Sequence, residues 1–316
     1  ESCELFDLCK NEQWNELEQS ILSITNPLNL TIRDKEGNTI LFFCCRYGKL
    51  NIAKTIHSKL PLKSNDCNIH GANYISEACR SGNIELVQWL ASLGVNLLVQ
   101  EKDGSDCTHI AAFNGNLELM QWLIDNGCSV NNKNGFEETC LLIAARNKDL
   151  KMAKFLLDNG CLVDECNCYE NTPLMEALYN RDLEMMEYLI QNGSDGNRTD
   201  EFGCSCIVLA TRYIFHDAVE LLLKNGASVH DKDGYGNSCI LLAALNSDIK
   251  MTELLLRYNA SLKDVNLANQ SCILIASIEG FLDLLKFLVE KGCSLQECSS
   301  KGTCIMEAAY NSHLEC

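Results

Sequence analysis

An all-α solenoid of stacked helix–turn–helix units, joined by protruding turn or β-hairpin fingers, is the fold class that the sequence predicts. Three observations predict it. A helix-closing glycine recurs at Gly94, Gly127, Gly160, Gly193, Gly226 and Gly292, always on multiples of 33 residues. Asn259 fills the single vacant position, and Asn also tolerates the left-handed backbone. Between these marks the same order returns: turn residues, a short apolar helix with a small pair, then an amphipathic helix. A fixed period of this length signals stacked repeats.

The stretch Asp103 to Asn132, DGSDCTHIAAFNGNLELMQWLIDNGCSVNN, is the unit that the rest copies. Asp103-Gly104 is turn chemistry, because Gly supplies the positive φ of a tight turn. Thr108 to Asn114 holds apolar residues with Ala111-Ala112, a small pair that lets a neighbouring helix approach closely. After Gly115 a second helix is expected, with Leu117, Met120, Leu123 and Ile124 as its inward stripe. Gly127 ends that helix as its C′ residue.

In chain order, Cys3 to Leu22 reads as a degenerate helical pair with Leu5, Leu8, Cys9, Trp14 and Leu17 as its apolar positions. Residues 1–33 are therefore expected to form an N-terminal helical cap or degenerate repeat. Residues 34–316 form an array of about nine units, starting near Asp34, Asn68, Lys102, Lys133, Asn167, Asp200, Asp233, Asn266 and Ser299. The first unit is divergent at its end, where Leu60-Pro61-Leu62 replaces the glycine close. No Gly/Ser-rich or Pro-rich linker interrupts the series. The chain stops at Leu314-Glu315-Cys316, where a second helix is due, so a truncated last unit and a longer parent protein are expected.

Single residues sharpen the assignment. Thr172-Pro173-Leu174 opens one unit, Ala144-Ala145 and Ala243-Ala244 are small pairs, and Leu221-Leu222-Leu223 with Gly226-Ala227 closes another. Together with the period, these residues resemble the ankyrin-repeat family over nearly the whole chain. The resemblance implies the stacked-repeat fold and a binding scaffold, while leaving the partner open.

The chain departs from that family pattern in places. The Pro position is taken by Cys107, Cys140, Cys206, Cys239, Cys272 and Cys304. The His position keeps its residue at His109, whereas Leu142, Met175, Val208, Leu241, Leu274 and Met306 replace it elsewhere. Glu137, Glu170 and Lys301 stand where a turn glycine is due, so a different turn is expected there.

With 43 acidic and 26 basic side chains the formal charge is −17, which disfavours nucleic acid and anionic membrane surfaces. No run of 18 apolar residues is present to span a membrane. No metalloprotease, Walker-type, hydrolase-elbow or kinase motif occurs, so no enzyme and no cofactor is expected. The sequons at Asn29, Asn192, Asn197, Asn259 and Asn269 are discounted for a reduced cytoplasmic protein.

Twenty cysteines suggest a disulfide framework at first. Equivalent cysteines lie one repeat apart, about 10 Å, while a disulfide needs Cα atoms within roughly 7 Å. Cysteine as a small buried hydrophobe in a reducing compartment fits better. Cys161, Cys166 and Cys168, with Cys204 and Cys206, match no familiar zinc spacing. Cys166 and Cys168, on an expected exposed hairpin, are the candidate redox thiols.

Partner binding is expected on the concave side, which the resemblance implies is built from finger tips and first helices. Phe136, Tyr169, Phe202 and Tyr235 recur every 33 residues, one before the turn-glycine position. These rings either form a binding ladder or pack on the neighbouring finger. The first helices add Ile110 and Phe113, Ile143 and Arg146, Glu176 and Tyr179, Leu209 and Arg212, Leu242 and Leu245, and Ile275 and Ile278. The expected site is Phe113, Phe136, Arg146, Tyr169, Tyr179, Phe202, Arg212, Tyr235 and Leu245, gripping an extended or helical protein segment. Glu137, Glu138, Glu170, Asp200 and Glu201 would favour a basic one. The alternative is the cytosolic ankyrin region of a larger membrane-channel or cytoskeletal protein with regulatory cysteines.

Overall fold

The computed structural model describes residues 2–297 and 302–311. Lys301 and the closing Leu314-Glu315-Cys316 lie outside the described residues. The chain groups into two compact units, residues 1–162 and 163–316.

The first unit opens with a helical pair, α1 (Ser2–Lys10) and α2 (Trp14–Ser23), followed by a 3-10 turn over Pro27–Thr31. Leu5, Phe6, Cys9, Leu17 and Ile21 are its buried side chains. Four helical pairs follow: α3 (Ile40–Arg46) with α4 (Leu50–Lys59), α5 (Tyr74–Ser81) with α6 (Ile84–Ser92), α7 (Cys107–Phe113) with α8 (Leu117–Asp125), and α9 (Cys140–Arg146) with α10 (Leu150–Asp158). The first helices pack in a row, α3 on α5, α5 on α7 and α7 on α9. The second unit holds α11 (Pro173–Tyr179) to α12 (Leu183–Gln191), α13 (Cys206–Arg212) to α14 (His216–Lys224), α15 (Cys239–Leu245) to α16 (Ile249–Arg257), α17 (Cys272–Glu279) to α18 (Leu282–Glu290), and α19 (Cys304–Tyr310). Its first helices also pack in series from α11 to α19.

Why two kinds of helix arise is visible in the burial. A first helix sits between its own partner and the flanking repeats, so α7, packed against α5, α8 and α9, buries every residue from Cys107 to Ala112. Cysteine at the opening position suits this crowding: Cys107, Cys140, Cys206, Cys239, Cys272 and Cys304 are all buried there. A second helix buries one face only. In α8 that face is Leu119, Met120 and Leu123, each stabilising by about 2 kcal/mol. The expected stripe is thus shifted: Leu119 is central, and Leu117 and Ile124 stay half-buried at its edges.

The ends are set locally. Asn83, Asn116, Asp149, Asp182 and Asp248 cap second helices, each accepting the backbone N–H of the third helical residue. At the far ends the closing glycines all take positive φ, and Asn259 does so at 65°. Glu137 and Glu170 correct an expectation. They adopt the same left-handed turn as Gly104, with φ of 58° and 60°. Asn134 holds that turn by accepting from the N–H groups of Phe136 and Glu138, and Asn167 does so for Tyr169 and Asn171. Among the described residues the fingers are tight turns rather than hairpins of paired strands; Thr199–Ser205 and Lys232–Ser238 form isolated bridges at their bases.

Candidate protein-interaction surface

In the first unit, the end of α7, the end of α9 and two finger turns enclose a groove of about 450 Å³. Ile110 and Ile143 floor it, and Phe113 and Phe136 wall it. Phe113 is 69% exposed, a large ring held in water at the end of an otherwise buried helix. Arg146 joins the lining but is not a free cation, since it pairs with Glu138. The structure therefore brings Phe113, Phe136 and Arg146 to one groove.

Arg80 belongs to the same rim and was not anticipated. It occupies the last-turn position of α5, equivalent to Phe113 and Arg146, and donates to Glu101 at 2.6 Å. Arg46, at that position in α3, bonds Glu77 at 2.7 Å. A sequence signal existed, because both arginines fall seven residues after the helix-capping residues Thr39 and Asn73.

In the second unit the tips carry Tyr169, Phe202 and Tyr235, all exposed, and Tyr235 reaches 75%. Among the described residues, no ring-to-ring contact joins them. Leu267 continues the row on the next tip. It escaped notice because Ala268 takes the ring position. Below the tips, Tyr179 stacks edge-on against Tyr213 with ring centroids 6.0 Å apart. Burial, with the nearby Asp200 charge, pushes the Tyr179 phenol up. Next to Tyr213, Ile214 holds φ of 54°, a rare conformation for a β-branched residue. Arg212 is half-buried and tied down by Asp233 at 3.1 Å and Cys204 Sγ at 3.5 Å. Leu245 is exposed at the end of α15.

Two parts of the expected surface are corrected. Ile110, Ile143, Glu176, Leu209, Leu242 and Ile275 are buried, one helical turn before the exposed last-turn positions, although Ile110 and Ile143 still line the floor of the groove. Asp200 is buried too, its Oδ1 accepting from Phe202 N–H and Cys204 N–H. With Glu138 paired, Glu137, Glu170 and Glu201 are the members of the expected acidic set that stay exposed.

Of the candidate thiols, Cys168 is exposed and Cys166 half-buried, with the Arg198 guanidinium 3.8 Å from its sulfur. Cys67 is a second exposed thiol. The repeat-opening thiols are different: burial pushes Cys206 and Cys239 up to about 12. Among the described residues no group of three or more His, Cys, Asp or Glu is placed to hold a metal ion. No described helix is long and apolar enough to cross a membrane.

Family models described as ankyrin repeats (3 copies) match residues 108–200 and 240–316. Others described as ankyrin repeats (many copies) match 75–124 and 216–256. The chain belongs to the ankyrin-repeat family, whose arrays are generally protein–protein interaction modules and typically non-catalytic. No curated protein matches it.

Proposed function

We propose that this chain is a protein-interaction scaffold that grips a segment bearing basic residues with its finger tips and first-helix ends. Phe113, Phe136 and Arg146 serve in the first unit. Tyr169, Tyr179, Phe202, Arg212, Tyr235 and Leu245 serve in the second. The observation that supports this reading is the exposure of large rings on turns held by side-chain-to-backbone bonds from Asn134, Asn167, Asp200 and Asp233. Rings so placed bury much area with little loss of rotamer freedom, which makes them common interface anchors. Glu137, Glu170 and Glu201 beside them favour a cationic partner. A cytoplasmic, reducing setting is part of the proposal, since most thiols fill apolar positions in the core.

Selection from a displayed random-peptide library tests it. Lys- and Arg-containing peptides are expected, and Phe202→Ala with Tyr235→Ala should deplete them. Selection without a basic bias would sink the reading. A second reading, a regulated thiol region of a membrane-channel or cytoskeletal protein, draws on the exposed Cys168 and on Arg198 beside Cys166.

A further inference from the structure

Nearly every charge lining the groove of the first unit is neutralised within the chain. Arg80 bonds Glu101 at 2.6 Å and lies 3.6 Å from Glu77. Arg146 pairs with Glu138, whose second oxygen accepts from Asn134 Nδ2 at 3.1 Å. His109 sits between the Asp106 carboxylate and the Glu138 carbonyl oxygen. Asp103 is the exception. It is exposed, its Oδ1 accepts the Ser105 N–H at 2.9 Å, and no ion pair joins it among the described residues. Lys102, its neighbour in the chain, lines the adjoining hollow instead, and Glu137 is a further exposed carboxylate beside Phe136.

The lining amides are committed too. Asn114 Nδ2 donates to the Arg80 carbonyl at 3.3 Å and Asn147 Nδ2 to the Phe113 carbonyl at 3.1 Å, which ties successive first helices together. Asn134 Oδ1 accepts from the finger N–H groups of Phe136 and Glu138. The walls are therefore set before a partner arrives, and this lowers the ordering cost of binding. What the groove offers is an apolar floor of Ile110 and Ile143, the exposed rings of Phe113 and Phe136, and one unpaired carboxylate. An aromatic side chain gains most from such walls, because it buries the most area. An anion gains little from guanidinium groups that already carry carboxylates, and it meets Asp103.

We propose that this groove takes one bulky side chain of the partner segment, an indole or a phenyl ring, and that an adjacent lysine or arginine pairs with Asp103. The proposal deepens the scaffold reading and rests on it. An exposed pair of this kind adds little affinity, but it sets which sequence is preferred.

The test titrates the whole chain, its isoleucine methyl groups isotope-labelled, with N-acetyl-Trp-Lys-amide and follows Ile110 and Ile143 by NMR. Salt of about 0.15 M screens the distant charges of the chain. Saturable shifts of these two methyl signals are expected. N-acetyl-Trp-Glu-amide should bind at least about threefold more weakly, and N-acetyl-Ala-Lys-amide at least about tenfold more weakly. Asp103→Asn keeps the acceptor for the Ser105 N–H and should erase the preference for Lys over Glu. Phe136→Ala, at an exposed turn position, should weaken N-acetyl-Trp-Lys-amide about fivefold while thermal unfolding hardly moves. No saturable shift, equal binding of the Glu or Ala probe, or a preference that survives Asp103→Asn would overturn the proposal. The peptide selection is judged through Phe202 and Tyr235 in the second unit, so failure of the groove and failure of the scaffold reading give different results.

Discussion

His109 Nε2 lies 3.0 Å from the carbonyl oxygen of Glu138 in the next repeat, where only a protonated nitrogen can bond. On the other side of the ring, Nδ1 lies 2.9 Å from Asp106 Oδ1. Nδ1 also lies 3.3 Å from the Asp106 backbone N–H, which closes a capping box, so the neutral ring keeps that bond while the charged ring gains the carboxylate. Burial opposes that charge, but the Asp106 hydrogen bond and charge outweigh it, helped by the Glu138 and Asn132 carbonyls, and the His109 pKa rises. Burial likewise opposes the Asp106 charge, and the His109, Thr108 and Asn132 donors hold its pKa well below the usual range.

The signs define a window. The His109 contribution is complete below the unfolded value of about 6.5 and is lost as pH rises through the raised folded value. The Asp106 contribution is present above about 3.9 and is lost as pH falls through its depressed folded value. Denaturant unfolding should therefore show the repeat contact strongest between roughly pH 4 and 6.5 and weaker in alkaline buffer. His109→Gln should cost about 1–2 kcal/mol at pH 6 and flatten the alkaline side. An unchanged alkaline slope in the variant would place the titrating group elsewhere.

The finger turns make opposite predictions at equivalent positions. Gly104 has φ of 78°, and an added Cβ would sit 2.5 Å from the Gly135 nitrogen. Gly104→Ala should lower stability by about 2 kcal/mol or more in urea unfolding. Glu137 already carries a side chain in that conformation, so Glu137→Gly should raise stability by up to about 1 kcal/mol.

Thiol labelling should divide the cysteines by burial. In native protein, Cys67 and Cys168 should alkylate readily and Cys166 more slowly. Cys44 and Cys45, raised well above the ordinary thiol value by burial, should react only after unfolding. Peptide mass mapping of pulse-alkylated protein checks this. Labelling of Cys44 at the rate of Cys168 would contradict the packing.

Phe202→Ala with Tyr235→Ala should weaken partner binding by at least about 2 kcal/mol, because both rings stand mostly in solvent yet anchor the proposed surface. Thermal unfolding should hardly move. Tyr179→Ala is the less clean test, since losing its contact with Tyr213 costs about 1 kcal/mol of folding stability by itself. Association should also slow as salt rises if Glu170 and Glu201 steer a cation. Normal binding by the double variant would return the rings to a structural role.

Much of the fold was legible because left-handed backbone leaves a compositional mark. A side chain there costs about 1–2 kcal/mol, so the closing position reads as Gly or Asn from Gly94 to Gly292. The finger turns were less legible, because Asn134 and Asn167 enforce the turn with side-chain bonds and free the next positions to be Glu137 and Glu170. The site was half legible. Spacing placed Phe113 and Arg146 correctly at helix ends, yet it could not separate them from Ile110 and Ile143, one turn earlier and buried. In a seven-residue helix enclosed by neighbours, only its last residue clears the packing.

The finger tips are tied to one another through main-chain atoms. Ile69 N–H donates to Glu36, Lys102 N–H to His70, Gly135 N–H to Asp103, Glu201 N–H to Tyr169 and Leu267 N–H to Tyr235, in each case to the carbonyl oxygen one finger earlier. Every amino acid but proline owns such a donor. Alignment of the tips is therefore carried by the main chain, and outside the crowded Gly104 and Gly135 the exposed ring positions Phe136, Tyr169, Phe202 and Tyr235 can be rewritten without removing the bonds that hold the frame.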